Sequence, residues 1–137
     1  MDLQRVAAHP FLTGIPESEL EQVALAASER EFASGEVLMS EGDFGHSLFL
    51  VESGSADVSV DGVKVAEAGP GAVVGEVAVL ASGRRTASVV ATSPVRVMAF
   101  FKRDVWTLER SAPESARRLR AAIADHTSGD SGHSSGD

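Results

Sequence analysis

The stretch Ala68-Gly69-Pro70-Gly71-Ala72-Val73-Val74-Gly75-Glu76-Val77-Ala78-Val79-Leu80-Ala81-Ser82-Gly83-Arg84-Arg85-Thr86-Ala87-Ser88 decides how the rest of the chain is read. Strand-like runs flank it, at 63–67 before and 85–92 after. A hairpin between them would not need this length. Residues 76–81 fit a single helical turn led by the flexible Gly75. The N-terminus of such a turn presents unpaired N–H groups and the positive end of a dipole, which suits an anion. Arg85 follows Glu76 by nine positions, at the start of the next expected strand. From there its guanidinium can fold back over the turn and hold two oxygens of a phosphate at once.

Working outward, short runs rich in Val, Phe, Leu and Ser alternate with glycine turns. Candidate strands are 30–33, 36–40, 47–52, 55–60, 63–67, 85–92 and 95–101. Asp61-Gly62, between Asp57-Val58-Ser59-Val60 and Val63-Lys64-Val65, is a strong two-residue hairpin signal. Strands this short and regularly spaced predict an antiparallel barrel or sandwich. Residues 1–28 read as helical. Leu3, Val6 and Ala7 are spaced for one face, His9-Pro10-Phe11 interrupts, and a second helix starts after Pro16 with Leu20, Val23, Ala24 and Ala27 in register. Residues 102–126 return to helix. Asp104 is expected to cap a short segment carrying Val105, Trp106 and Leu108, with Trp106 in the core. A longer helix opens at Ser111-Ala112-Pro113-Glu114, lined by Ala116, Leu119, Ala122 and Ile123. Arg117, Arg118 and Arg120 are expected on its solvated side. The polar run from Thr127 to Asp137 reads as a mobile tail or linker.

Composition narrows the function. The 137 residues predict one domain, and 43% hydrophobic content with mean hydropathy +0.02 allows a packed core. No apolar run approaches the roughly 20 residues of a membrane helix, and no leader pattern opens the chain, so a cytoplasmic location is the expectation. With no cysteine, disulfides, thiol nucleophiles and Cys-based zinc sites are excluded. A net charge of −8 disfavours nucleic acid as a partner. A DNA-binding regulator would also need a helix-turn-helix of about 60 or more residues after the last helix, where only the polar tail stands. The histidines His9, His46, His126 and His133 are scattered and form no His-x-His pair, which disfavours a metal-binding cupin. There is no Gly-x-Ser-x-Gly, His-Glu-x-x-His or Walker loop, so an enzyme is the least expected class.

The pattern Gly75-Glu76-Val77-Ala78-Val79-Leu80, a short spacer, then Arg85-Thr86-Ala87-Ser88 resembles the phosphate-binding cassette of the cyclic nucleotide-binding domain family. The resemblance extends over about residues 9–126. It takes in Glu36-Val37-Leu38, Glu41-Gly42-Asp43, Leu48-Phe49-Leu50-Val51 and Gly54. It implies an α+β fold: an antiparallel β-roll (a double-stranded β-helix or jelly roll) with N-terminal helices, a short cassette helix and two C-terminal helices. The implied layout is one domain over 1–126, with N-terminal helices at 1–28, the roll at 29–101, and hinge and lid helices at 102–126. Residues 127–137 are then a flexible tail.

The resemblance also implies roles. Arg85 would pair with a cyclic phosphate, and Glu76 would accept a hydrogen bond from a ribose 2′-hydroxyl. Backbone N–H groups at Ala78 and Ala87 would complete the phosphate nest. Gly75 would allow close approach to the sugar, and Val77 belongs to the same cassette. Thr86 stands where a hydroxyl can bond the amino group of a syn guanine, so cGMP is admitted beside cAMP. Val74 stands where Phe is common, and Arg84 replaces a frequent Pro. With no aromatic residue placed to cap the base, the lid candidates are Leu119, Ile123 and His126, spaced i, i+4 and i+7. Charge-assisted hydrogen bonds contribute roughly 1.5–3 kcal/mol each. Together with base burial they can reach about −8 kcal/mol, a micromolar affinity. The implied function is a non-catalytic regulatory domain, needing no metal and no cofactor beyond the cyclic nucleotide. Its output would be movement of the C-terminal helices, passed to a protein partner or a fused effector domain. The alternative is an interaction module of the same fold that no longer responds to ligand.

Overall fold

The computed structural model describes residues 1–75, 78–79 and 83–122. In chain order the elements are α1 (Leu3–Ala8), a 3-10 turn (Pro10–Leu12), α2 (Glu17–Ala26), β1 (Ser28–Phe32), β2 (Val37–Met39) and β3 (Ser47–Ser53). They continue with β4 (Ala56–Val60), β5 (Val63–Ala68), β6 (Val73–Val74), β7 (Ser88–Ala91), β8 (Val95–Phe101), α3 (Lys102–Ser111) and a helix α4 at 113–122.

Two four-stranded antiparallel sheets form the roll, ordered β1-β8-β3-β6 and β2-β7-β4-β5. The β4–β5 hairpin closes through Asp61-Gly62, with Val60 opposite Val63. Both turn residues have positive φ, 53° and 79°, the geometry a two-residue turn needs and the reason this dipeptide was legible.

Strands β3 and β8 at the centre of the first sheet are largely apolar on both faces because both faces are covered, whereas β1 at its edge is polar and exposed up to Phe32. Along β3 and β8, Leu48, Leu50, Met98 and Phe100 point into a core shared with Val6, Leu12, Leu20, Val23, Val105, Leu108 and Leu119 of the helices. The alternating residues Phe49, Val51, Val97 and Ala99 fill the interior of the roll with Phe32, Leu38, Met39, Val74 and Val89. A strand's side chains alternate with period two, so one strand serves both cores and reads as a continuous hydrophobic run. The outer sheet differs: β5 is exposed from Val63 to Glu67.

Polar ties hold the N-terminal helices on the roll. The His9 side chain, 3% exposed, bonds the Val51 carbonyl through Nε2 at 2.8 Å, and its Nδ1 accepts from the Phe11 N–H at 3.2 Å. Arg5 donates to Glu52 and Glu29. At the other end of the chain α4 is docked by α2. The Glu19 carboxylate accepts from the Glu114 and Ser115 N–H groups at 3.0 and 3.3 Å, and Arg118 donates to the Phe11 carbonyl at 3.0 Å. No helix among the described residues is long and apolar enough to cross a membrane.

Several expectations shift. β6 was not anticipated, since two residues carry no readable period. β7 begins at Ser88 instead of 85, because Arg84 and Arg85 are bonded to the 42–45 loop instead of to the sheet. Ala7 is exposed, leaving Val6 as the buried residue of α1. Trp106 is not in the core: it is 55% exposed, with the Lys102 ammonium 5.4 Å from its ring centroid. Asp104 does cap α3, but from inside the first turn, accepting from the Phe101 N–H at 2.9 Å. Arg117 and Arg120 are exposed as expected, yet each is ion-paired, to Glu114 and Glu109. Ile123 and the 127–137 run lie outside the described residues.

Candidate functional site

Residues 42–45 and 83–85 form a short ladder of their own. The Gly42 N–H donates to the Arg85 carbonyl at 2.9 Å, the Arg85 N–H to the Asp43 carbonyl at 2.7 Å, and the Gly45 N–H to the Gly83 carbonyl at 3.0 Å. Phe44 pairs with Arg84 across it. This ladder sends two neighbouring arginines in opposite directions. Arg84 stays outside, its guanidinium 4.2 Å from the Phe44 ring centroid and bonded to the Gly42 carbonyl. Arg85 turns inward and is 8% exposed.

Inside, Arg85 lies 5.9 Å from the centroid of the Phe49 ring and donates one long bond, Nη1 to the Gly75 carbonyl at 3.4 Å. No carboxylate among the described residues forms an ion pair with it. Burial pulls its pKa below the ordinary arginine value, and the Asp43 charge acts in the opposite direction. An arginine titrates too high to lose its proton, so a forked cation stands buried with most of its donors unused among the described residues.

Two glycines make room for it. Gly75 has φ +87°, and a Cβ there would stand 2.5 Å from Arg85 Nη1 and 3.1 Å from Met39 Cε. A side chain is therefore strained by the backbone conformation and would displace the Arg85 guanidinium. A Cβ at Gly45 would stand 2.5 Å from Ala78 Cβ and 3.0 Å from Arg85 Cζ and Nε. Gly45 is thus the surface on which the turn and the arginine meet. Ala78 and Val79 are helical and each 2% exposed; the Val79 N–H points to the Gly75 carbonyl, and the Ala78 carbonyl accepts from Gly83.

Of the residues singled out in the sequence, the structure brings Gly75, Ala78 and Arg85 together. Thr86 is exposed and Ala87 half-buried, directly after Arg85. Leu119 is 5% exposed and packs in the helical core, beside Phe11, Leu12 and Leu108. Glu76, Val77, Ile123 and His126 lie outside the described residues. Sequence reading missed Gly45, Phe49 and the Asp43 carbonyl as parts of the site. Glu41-Gly42-Asp43 is visible as a turn, but nothing local says that the turn will be bonded to Arg85. Among the described residues no three His, Asp or Glu side chains are grouped to hold a metal ion. The arrangement suits the capture of an oxyanion.

The comparisons agree with that chemistry. The profile of the cyclic nucleotide-binding domain family matches residues 29–111. A cAMP-dependent protein kinase regulatory subunit from Yarrowia lipolytica is 36% identical over 109 residues, covering 79% of this chain and 27% of that protein. Thermus thermophilus catabolite activator protein superposes with a TM-score of 0.78 at 29% identity, over 89% of this chain and 60% of that one. The regulatory subunit of a cAMP-independent protein kinase A from Trypanosoma cruzi, solved bound to guanosine, superposes with a TM-score of 0.73 at 28% identity, over 93% of this chain and 48% of that one. The chain thus spans about a quarter of the Yarrowia regulatory subunit and less than two thirds of the other two. A β-roll closed by helices, a buried arginine seated between Gly45 and Gly75, and a family match over most of the roll lead to one assignment: this chain belongs to the cyclic nucleotide-binding domain family.

Proposed function

We propose that the chain is a non-catalytic sensor of cAMP or cGMP, built from residues 1–126 with 127–137 as a tail. Arg85 takes the cyclic phosphate, Gly75 and Ala78 line the approach, Glu76 holds the ribose, and Thr86 meets the base. The observation that carries this is the burial of Arg85 without a carboxylate partner among the described residues. A dehydrated guanidinium gains two charge-assisted bonds when an anion arrives and loses little water doing so. The ligand-bound output would be rearrangement of α3 and α4 toward the site, with Leu119, Ile123 and His126 as lid residues. Support for such coupling comes from Val79, adjacent to Ala78 and buried in the core that contains Leu108 and Leu119. The signal would pass to a partner or a fused effector domain in the cytoplasm.

A second reading has a specific observation behind it, the cAMP-independent Trypanosoma relative bound to guanosine. In that case this chain would take a nucleoside, or act as an interaction module without response to cyclic nucleotide. A neutral nucleoside offers Arg85 hydrogen-bond acceptors but no charge, which favours the phosphate-bearing ligand. Calorimetric titration with cAMP, cGMP and guanosine separates the readings. Binding of a cyclic nucleotide with Kd of order micromolar, and weaker binding of guanosine, is the expected result. Guanosine binding alone, or no heat at about millimolar ligand, would overturn the sensor proposal.

A further inference from the structure

Two exposed helix rows carry opposite charge and form no ion pair among the described residues. On α2, Glu17, Glu21 and Leu25 recur every four residues and so share a face. All three are exposed, Leu25 by 80%. On α3, Lys102, Trp106 and Arg110 repeat the same spacing, with Arg103 beside them, and all are exposed. The inner faces of both helices are committed to the helical core through Leu20, Val23, Val105 and Leu108. Only the outer faces are left.

The charges on these rows differ from most others in the chain. Arg5, Lys64, Arg96, Arg117, Arg118 and Arg120 each pair with a carboxylate. Among the described residues Lys102, Arg103 and Arg110 pair with none. Lys102 lies over the Trp106 ring and Arg103 over the Phe101 ring, at 5.4 and 5.6 Å from the centroids. The acidic groups of α3 are already used, Asp104 in its cap and Glu109 on Arg120. Glu17 and Glu21 form no ion pair among the described residues either. Six of the twelve basic residues fall within 102–122, against three of the twenty acidic ones, in a chain of net charge −8.

We propose that the α3 row of one copy docks on the α2 row of a second copy of this chain. The complement of each row is found on the other: a basic row with an exposed indole and an acidic row with an exposed Leu, equal in length at about 12 Å along the helix. In a two-fold dimer each copy offers both rows, so the contact is made twice. Trp and Arg are the side chains that dominate protein interfaces when covered. Exposed charges are screened by salt, so the association is weak and salt-sensitive.

The proposal stands apart from Arg85 and is tested without nucleotide. Sedimentation equilibrium is run up to about 1 mM protein at low and high salt. It is paired with the fluorescence of Trp106, the single tryptophan of the chain. Expected are a dimer at low salt that dissociates at high salt, and a blue shift of emission that follows dimer formation. Lys102→Glu/Arg103→Glu/Arg110→Glu and Glu17→Lys/Glu21→Lys should each be folded monomers by circular dichroism, and mixing the two variants should restore a heterodimer. Trp106→Ala should weaken association about tenfold. A chain that stays monomeric up to about 1 mM at low salt overturns the proposal. So does a dimer that persists in both charge variants, or a mixture of the two variants that fails to associate.

Discussion

Arg118 on α4 and Arg85 ahead of β7 are both arginines drawn toward the protein interior, and their surroundings are opposite. Arg118 donates to the Phe11 carbonyl and lies 3.8 Å from the Glu114 carboxylate, beside Arg117 and Arg120, which are also ion-paired. Arg85 is more deeply buried and, among the described residues, its side chain has a single long bond to a carbonyl. The helical region uses its guanidinium groups to fasten elements together. The cassette region buries one that forms no ion pair among the described residues. A buried cation without a partner costs stability, and under the proposed function an arriving anion would recover that cost.

The largest effect that would test this contrast is at Arg85. Arg85→Ala is expected to weaken cyclic nucleotide binding by about 100-fold or more, since two charge-assisted bonds are lost. Thermal stability should be unchanged or raised, because a dehydrated charge is removed. A large fall in the melting temperature would place Arg85 among the structural arginines and erase the distinction.

Next comes the docking of α4. Glu19→Ala removes the acceptor for the Glu114 and Ser115 N–H groups and should destabilise that end by about 1 kcal/mol. Hydrogen exchange measured by mass spectrometry should rise in 113–122 and stay unchanged in β4 and β5. Uniform acceleration would show that the helix and the roll unfold together.

The His9 tie should give a pH dependence of similar or smaller size. Its imidazole is neutral in the fold, with Nδ1 accepting and Nε2–H donating, and burial lowers its pKa while the Val51 carbonyl and Glu52 oppose that shift. A group depressed on folding contributes stability above its unfolded pKa and loses it as pH falls toward the folded value. The melting temperature should therefore decline on acidification from about pH 7 to 5, and the His9→Gln variant should show a flatter profile. An unchanged slope in His9→Gln would assign the decline to carboxylates instead.

The smallest effect is expected at Ser115, 2% exposed, whose hydroxyl finds no hydrogen-bond partner among the described residues. Ser115→Ala should be neutral or stabilising within about 0.5 kcal/mol, read by denaturant unfolding. A loss well beyond that would reveal a hydrogen bond that matters to the docked helix.

What the sequence disclosed follows the range of the interactions. The Asp61-Gly62 turn depends on two residues and was legible. So were the runs 47–52 and 95–101, whose apolar character survives any partner. Gly75 and Arg85 were legible because their spacing is short and repeated across a family. Gly45 was not, since its importance is the absence of a Cβ beside residues 33 and 40 positions later. Glu19 capping Glu114 and Ser115 spans almost the whole chain and exists only after α2 and α4 meet. Trp106 misled because aromatic character predicts burial on average, while its face of α3 is turned away from the core.

The strand Ser47–Ser53 has a further consequence. Its even-numbered side chains Leu48 and Leu50 belong to the helices, and its odd-numbered Phe49 and Val51 belong to the roll. A slip of one residue would exchange the two sets, bringing Leu48 or Leu50 beneath the guanidinium and the Phe49 ring into the helices. The wall between the two compartments is therefore locked against sliding.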